Sequence, residues 1–338
     1  MSHGTTAGPP ARTRADGINA GMLGALRRVG AVDEIGVLAA LATICLFLTI
    51  TTEQFWSTNN LLVVTRQASY VGILAVGMVF VISMGDIDLS VGSTLMLASV
   101  CMAYLIRDGQ NIWLAVLVAL AVGSLCGLVN GVLSVGLRIP TIIVTLGTLS
   151  AYKGLGLVVS EGAPVAIERD DRQGWFFQEI GGKLAGVWTS VWVMILVALA
   201  GWILFNRAAF GRRVQAIGSN LQAARFSGIR IARYRILVMT LMGLICGIAA
   251  VVVLAFNQNG NPQTGIGIEL KVIAAAIIGG TALTGGSGSV LGAIIGALIV
   301  WLIQNGLTLL HVDPNWFDVA TGAVIIAAVT LDYLIKRR

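Results

Sequence analysis

From residue 35 onward the chain alternates long apolar runs with short polar breaks. A bilayer core about 30 Å thick takes about 20 apolar residues to cross as a helix. Runs of this kind lie near 35–51, 65–84, 90–107, 112–136, 140–159, 187–206, 234–256, 268–284, 289–310 and 316–335. They predict an all-α polytopic membrane protein of about ten transmembrane helices. The second run opens on Arg66 and Gln67, and the eighth on Glu269 and Lys271. Long side chains near a helix end reach back to the interface, so both runs stay as candidate spans. One break carries unexpected charge. In GDIDLSVGS (85–93) two carboxylates, Asp86 and Asp88, stand between apolar runs on either side.

Composition supports lipid as the solvent. Of 338 residues, 57% are hydrophobic and 11% charged, against roughly 25% charged in soluble domains. The 42 glycines suit helices that pack backbone to backbone. A net charge of +6 would suggest nucleic acid in a soluble chain, but here the position of the charges matters more. Arg207–Arg235 holds seven arginines and no acid, which places it on the cytoplasmic side. The N-terminal tail and Lys336-Arg337-Arg338 are basic too. An even number of spans puts all three on one side, with both termini cytoplasmic. The expected division is a flexible cytoplasmic tail (1–33) and a transmembrane domain (34–335). That domain carries a cytoplasmic loop at 207–233 and a mixed-charge extracytoplasmic loop at 160–186. The first apolar run has no cleavage site after it and reads as an uncleaved span.

Several chemistries are excluded. There is no H-E-x-x-H helix and no P-loop. The four cysteines all lie in apolar runs, with no C-x-x-C spacing, and read as small packing residues. Gly285-Gly286-Ser287-Gly288 resembles an intramembrane protease motif, which needs a histidine base. The only histidines are His3 and His311, and His311 sits at the far end of the ninth run from Ser287. A gradient-driven carrier, the alternative transport reading, needs ionisable groups in mid-membrane. Asp86, Asp88, Lys153 and Glu269 are the candidates. GDIDLSVGS can also be laid on GGSGSVLGA (285–293), a faint internal repeat of the kind found in transporters.

The loop GRRVQAIGSNLQAARFSGIRIARYR (211–235) is patterned beyond the needs of a tether. Asn220 can N-cap a short helix through LQAARF, in which Ala223 and Ala224 favour helix, and Gly228 can end it. Arg225 and its neighbours surround that helix with positive charge. The element reads as a dock for a cytoplasmic partner.

Four stretches then resemble one family: AVGMVFVISMGDIDLSVGS (75–93), NGVLSVGLRIPTIIVTLGTLSAYKGL (130–155), GRRVQAIGSNLQAARFSGI (211–229) and IAAAIIGGTALTGGSGSVLGAIIGALIVWLIQNGL (273–307). Over residues 60–333 the chain resembles the permease subunit of ribose-type monosaccharide ABC importers in the bacterial inner membrane. The resemblance implies two permease chains, homodimeric or heterodimeric, forming a path for a monosaccharide or related polyol. It implies a cytoplasmic ABC ATPase that holds ATP and Mg, and an extracytoplasmic sugar-binding protein. This chain would be no enzyme and would bind no cofactor or metal. Gly218, Asn220, Ala223, Ala224, Arg225 and Gly228 match the ATPase-coupling segment. Asp86 departs from the pattern, where a small residue, commonly Gly, precedes Ile-Asp-Leu-Ser, so the family role carries over to Asp88 more readily.

A path for a neutral sugar needs hydroxyls and amides rather than fixed charge. Asn130, Thr141, Thr145, Thr148 and Asn305 are the candidates, joined by Asp88 and Ser90 in the GDIDLS break. Such side chains also bridge helices in membranes. Three roles stand open for the two acids: capping the third span through Asp88 or Ser90, pairing with arginines of the docking loop, or touching substrate at the cytoplasmic mouth.

Overall fold

The computed structural model describes residues 31–168 and 174–323, with 326 and 330. Most of the expected tail, the basic C-terminus and the end of the tenth run lie outside the described residues. Residues 31–33, read as the end of the tail, already belong to the first helix.

The main-chain hydrogen bonds are closed within helices, the form a chain must take where water is absent. The long elements are α1 (Ala31–Thr51), α2 (Thr58–Ser83), α3 (Val91–Arg107), α4 (Ile112–Leu137) and α5 (Thr141–Val159). After an outer excursion come α7 (Thr189–Trp202), two short helices α8 (Ala209–Ser219) and α9 (Leu221–Phe226), then α10 (Ile231–Asn257), α11 (Ile268–Ile278) and α12 (Val290–Leu309). The excursion holds β1 (Val165–Ala166), the one-turn helix α6 (Trp175–Glu179), β2 (Lys183–Leu184) and β3 (Val187–Trp188). A fourth short strand, β4 (Asn259–Gly260), follows α10 and pairs antiparallel with β1. Among the described residues six helices are long and apolar enough to cross a membrane: α2, α4, α5, α7 with the π turn Ile203–Arg207, α10 and α12. Two shorter apolar stretches are Gly36–Thr51 within α1 and the whole of α3.

The helix α2 is apolar all round and occupies the centre. Every residue from Ala68 to Ser83 is buried, against α12, α10, α7 and α11. Its start lies seven residues before the run that announced it, because Ser57 caps it by accepting from the Asn60 N–H. Arg66 therefore falls inside the helix rather than at its end. Its guanidinium stacks over Phe256 (3.8 Å) and Trp188 (4.9 Å).

The eighth run, expected to span as one helix, is interrupted. Its helix is the eleven residues of α11, about 16 Å at 1.5 Å per residue. The chain from 279 to 289 is irregular, with Gly280, Gly285 and Gly286 at positive φ. Irregular backbone at membrane depth is tolerated where protein covers it. Here it lies against the end of α2: Gly286 N–H donates to Ser83 O (2.8 Å), and Ser83 Oγ to Ser287 O (3.1 Å). The two segments of the faint internal repeat thus meet at one end of the bundle, while β1 and β4 meet at the other.

The contact of α4 with α10 rests on glycine. Of Gly123, Gly127 and Gly131, spaced by four, the first two face Gly243 and Gly247, and the third faces Ile236 and Met239. A Cβ on Gly127 would lie 2.1 Å from Met239 O, and one on Gly243 2.1 Å from Gly123 O. Both obstacles are backbone and cannot rotate away. Gly127→Ala is therefore expected to destabilise the fold by about 1–3 kcal/mol, read as a lower melting temperature in detergent. An unchanged melting temperature would show that the two helices separate freely at that level.

Candidate functional site

The GDIDLS break is buried and held by three helices. Gly85, at φ +85°, lets the chain leave α2. Thr145 on α5 accepts from Leu89 N–H (3.2 Å), and its hydroxyl lies 3.3 Å from Ile87 O. This threonine fixes the strand of chain between the two acids. Thr141, Thr145 and Thr148 recur on one buried face of α5 at helical spacing. Thr148 donates within its own helix to Thr145 O (3.4 Å).

Each acid heads its own network. Asp88 Oδ1 accepts from Ser90 N–H (2.8 Å) and Ser90 Oγ–H (2.7 Å). Asn130 on α4 donates through Nδ2 to Ser90 Oγ (2.8 Å), and the Tyr152 hydroxyl on α5 lies 3.0 Å from Asn130 Oδ1 and 3.0 Å from Cys126 O. The result is a chain in which Asn130 and then Ser90 donate toward the Asp88 carboxylate, with the Tyr152 hydroxyl at its far end, shared between Asn130 Oδ1 and Cys126 O. Ser90 stands at the N-cap position of α3, but its side chain makes no cap bond. The capping expectation is corrected on that point, because Asp88 takes the hydroxyl proton instead.

The arginine goes to the other acid. Arg235 Nε donates to Asp86 Oδ2 at 2.8 Å, the only ion pair among the described residues. Asp86 is 8% exposed and the arginine 27%. Thr141 Oγ1 donates to Asp86 Oδ1 (2.9 Å) and is itself 2.9 Å from Ser134 Oγ. Arg235 lies in the first turns of α10 and is the last arginine of the arginine-rich segment. The carboxylate that departs from the ribose-type pattern is thus the one tied to the arginine-rich side of the bundle.

The expected coupling segment is two helices rather than a loop with one. Asn220 caps α9 as its spacing foretold, accepting from Ala223 N–H (2.9 Å), and Gly228 follows the helix at φ +78°. The preceding α8 was not foreseen. Its face carries Val214 and Ile217 inward and Arg212 and Arg213 outward. Gly218 ends α8 in a three-way contact: a Cβ there would lie 1.9 Å from Ser83 O and 2.6 Å from Gly286 N. Within α9, Ala224 is 4% exposed, whereas Ala223, Arg225, Leu221 and Phe226 face outward. Phe226 is 89% exposed.

The structure thus gathers Asp88, Ser90, Asn130, Thr141 and Thr145 around one break. Asn305 lies elsewhere, in a reciprocal amide pair with Asn60 (2.7 and 3.2 Å) that ties α12 to α2. Tyr152, Ser134 and Arg235 complete the networks without having been singled out as members. Tyr152 follows Thr145 and Thr148 on the same helical face, a periodicity that could have marked it. Among the described residues no group of three or more His, Cys, Asp or Glu side chains could hold a metal.

The pattern of the family described as "Branched-chain amino acid transport system / permease component" matches residues 60–329. The chain belongs to this permease family. The permease is 38% identical over 304 residues to the ribose import permease protein RbsC of Escherichia coli K12, covering 89% of this chain and 94% of that one. It is 37% identical over 307 residues to the probable ABC transporter permease protein YphD of the same organism, covering 91% of each. It is 31% identical over 301 residues to the L-arabinose ABC transporter permease protein AraH of Azospirillum brasilense, covering 89% of this chain and 88% of that one. No solved structure gives a significant match. The permease is a membrane transport subunit of a bacterial inner membrane, not an enzyme.

Proposed function

We propose that the permease forms the translocation path of an ATP-driven ABC importer for a monosaccharide or related small polyol. It works beside a second permease chain, identical or homologous. A cytoplasmic ABC ATPase holds ATP and Mg and docks on residues 207–233. An extracytoplasmic sugar-binding protein delivers substrate to the 160–186 side. In this arrangement the chain passes the membrane ten times, α11 and the irregular stretch after it counting as one passage, with both termini on the cytoplasmic side.

The observation that carries this reading is the construction of α8 and α9. An aromatic ring left as open to water as Phe226, on a short helix beside Leu221, is a surface awaiting a partner. The same unit is seated by Gly218 on the end of α2 and on the 279–289 stretch. A push on α9 would reach the centre of the bundle through this close backbone contact.

The expected outcome is direct. When the tagged permease is solubilised from native membranes in mild detergent, an ABC ATPase co-purifies. Phe226→Asp removes that subunit while leaving the permease in the membrane, since the position contributes nothing to packing. Ala224→Asp is the wrong probe, because its side chain is buried and its failure would report misfolding. Equal recovery of the ATPase with Phe226→Asp and wild type would overturn the docking assignment.

A further inference from the structure

The geometry points to a second polar station: a pocket built from Lys153, Glu269, Ser93 and Thr264 that lines the aqueous path and holds the hydroxyl edge of a neutral polyhydroxylated solute. It deepens the permease reading above and rests on it.

The pocket lies deep in the bundle. At the β1–β4 end, a Cβ on Gly260 would touch Ala103 and Val100 of α3. Five residues later, Gly265 O lies 2.2 Å from the place of a Cβ on Gly92, near the start of the same helix. Between these points the chain descends eight to eleven helical residues, about 12–16 Å along α3. Gly265 and Gly267, at φ +85° and +77°, make the turn at the bottom, and α11 starts there. A broken helix beginning inside a membrane leaves backbone groups that need a polar surrounding.

The cavity at this turn measures about 70 Å³ and is lined by Ser93, Lys153, Thr264, Gly265 and Glu269, among others. That is room for several waters or for one edge of a sugar ring. Lys153 and Glu269 face it from α5 and α11 without forming an ion pair. The rest of the lining is largely apolar, with Met96, Leu149 and the exposed Ile266. Opposite charges opening between such residues onto lipid would cost several kcal/mol each. The backbone N–H groups of Gly267 and Glu269, at the start of α11, meet part of the Glu269 carboxylate, and water in the path would meet the rest of both charges. The two charges sum to zero, so the site favours neither anion nor cation. Lys153 donates and Glu269 accepts, while the Ser93 hydroxyl, already donating to Ser90 O (2.9 Å), offers lone pairs. This mixture suits adjacent hydroxyls on one solute. Ser93 also places the station one turn from the Asp88–Ser90 network.

Thiol accessibility in intact membranes tests the assignment. Single cysteines are introduced by Lys153→Cys, Thr264→Cys and Glu269→Cys, with Leu125→Cys and Leu196→Cys on the exposed outer faces of α4 and α7 as controls. The probe is a water-soluble trimethylammonium methanethiosulfonate, with rates taken over the unsubstituted chain. Positions 153, 264 and 269 are expected to react about tenfold faster than the controls, and Thr264→Cys keeps the test valid should loss of either charge impair folding. Glu269→Gln is expected to raise the KM for pentose uptake about fivefold or more, the loss of a charged acceptor. Rates no faster than the controls at all three positions overturn the pocket as part of an aqueous path. An unchanged KM in Glu269→Gln overturns its contact with solute. If the three cysteine variants react as expected but the wild-type chain imports neither D-ribose nor L-arabinose, the pentose contact is overturned, while co-purification of the ATPase still supports the importer reading.

Discussion

Gly218→Ala is expected to lower transport about tenfold or more while the ATPase still binds. One methyl group at this position has nowhere to go. It would stand 1.9 Å from Ser83 O and 2.6 Å from Gly286 N, which are themselves joined by a 2.8 Å hydrogen bond. Three backbone segments meet there: the end of α8, the end of α2 and the 279–289 stretch. Backbone cannot rotate aside as a side chain can, so the segments must part. A misfit of about 1.4 kcal/mol in one state of a two-state junction already shifts its population tenfold. The outer face of α9 lies away from this contact, so co-purification of the ATPase should persist. Gly136→Ala, with no atom within 4 Å of the new carbon, serves as the control and should transport normally. Uptake per permease in the membrane is the measurement. Wild-type uptake by Gly218→Ala would mean that the junction does not carry the docking movement inward.

The second large effect concerns the ion pair. Arg235→Ala leaves Asp86 buried with Thr141 as its remaining partner, a loss of about 3 kcal/mol for a broken, mostly buried pair. The double change Asp86→Gly with Arg235→Ala should recover much of that loss, because no unpaired charge remains. Glycine is also the residue commonly found there in the ribose-type pattern. A double-mutant cycle on melting temperature and on uptake per ATP hydrolysed gives the coupling, expected at about 1–3 kcal/mol. If the pair only stabilises the fold, melting temperature falls and the transport-to-ATP ratio holds. If it ties α10 to the GDIDLS break, the ratio falls as well. Additive single effects would sink both roles.

Legibility in the sequence divided along physical lines. The short helix at 221–226, with Asn220 before it and Gly228 after it, was readable because a cap, two alanines and a left-handed stop act over a few residues. The preceding α8 escaped because its apolar residues are few and its arginines read equally well as loop. The threonine face of α5 was readable as candidate chemistry, but its partners were not. Asp88 meets Ser90 two residues away, while Asp86 meets Arg235 across 149 positions. Nothing in the spacing distinguished these two acids.

The sequence by itself determined an all-helical chain dissolved in lipid, the positions of most of its helices, and the arginine-rich side. Those properties follow from transfer energies and local backbone preferences, which add along the chain. Only the tertiary structure decided that the eighth run stops after eleven residues, that Asp86 rather than Asp88 takes the arginine, and that three distant segments close on Gly218. Among apolar helices many pairings have similar transfer energy. The choice between them rests on backbone fit at glycines and on which buried polar groups can satisfy one another, and both are properties of the assembled bundle.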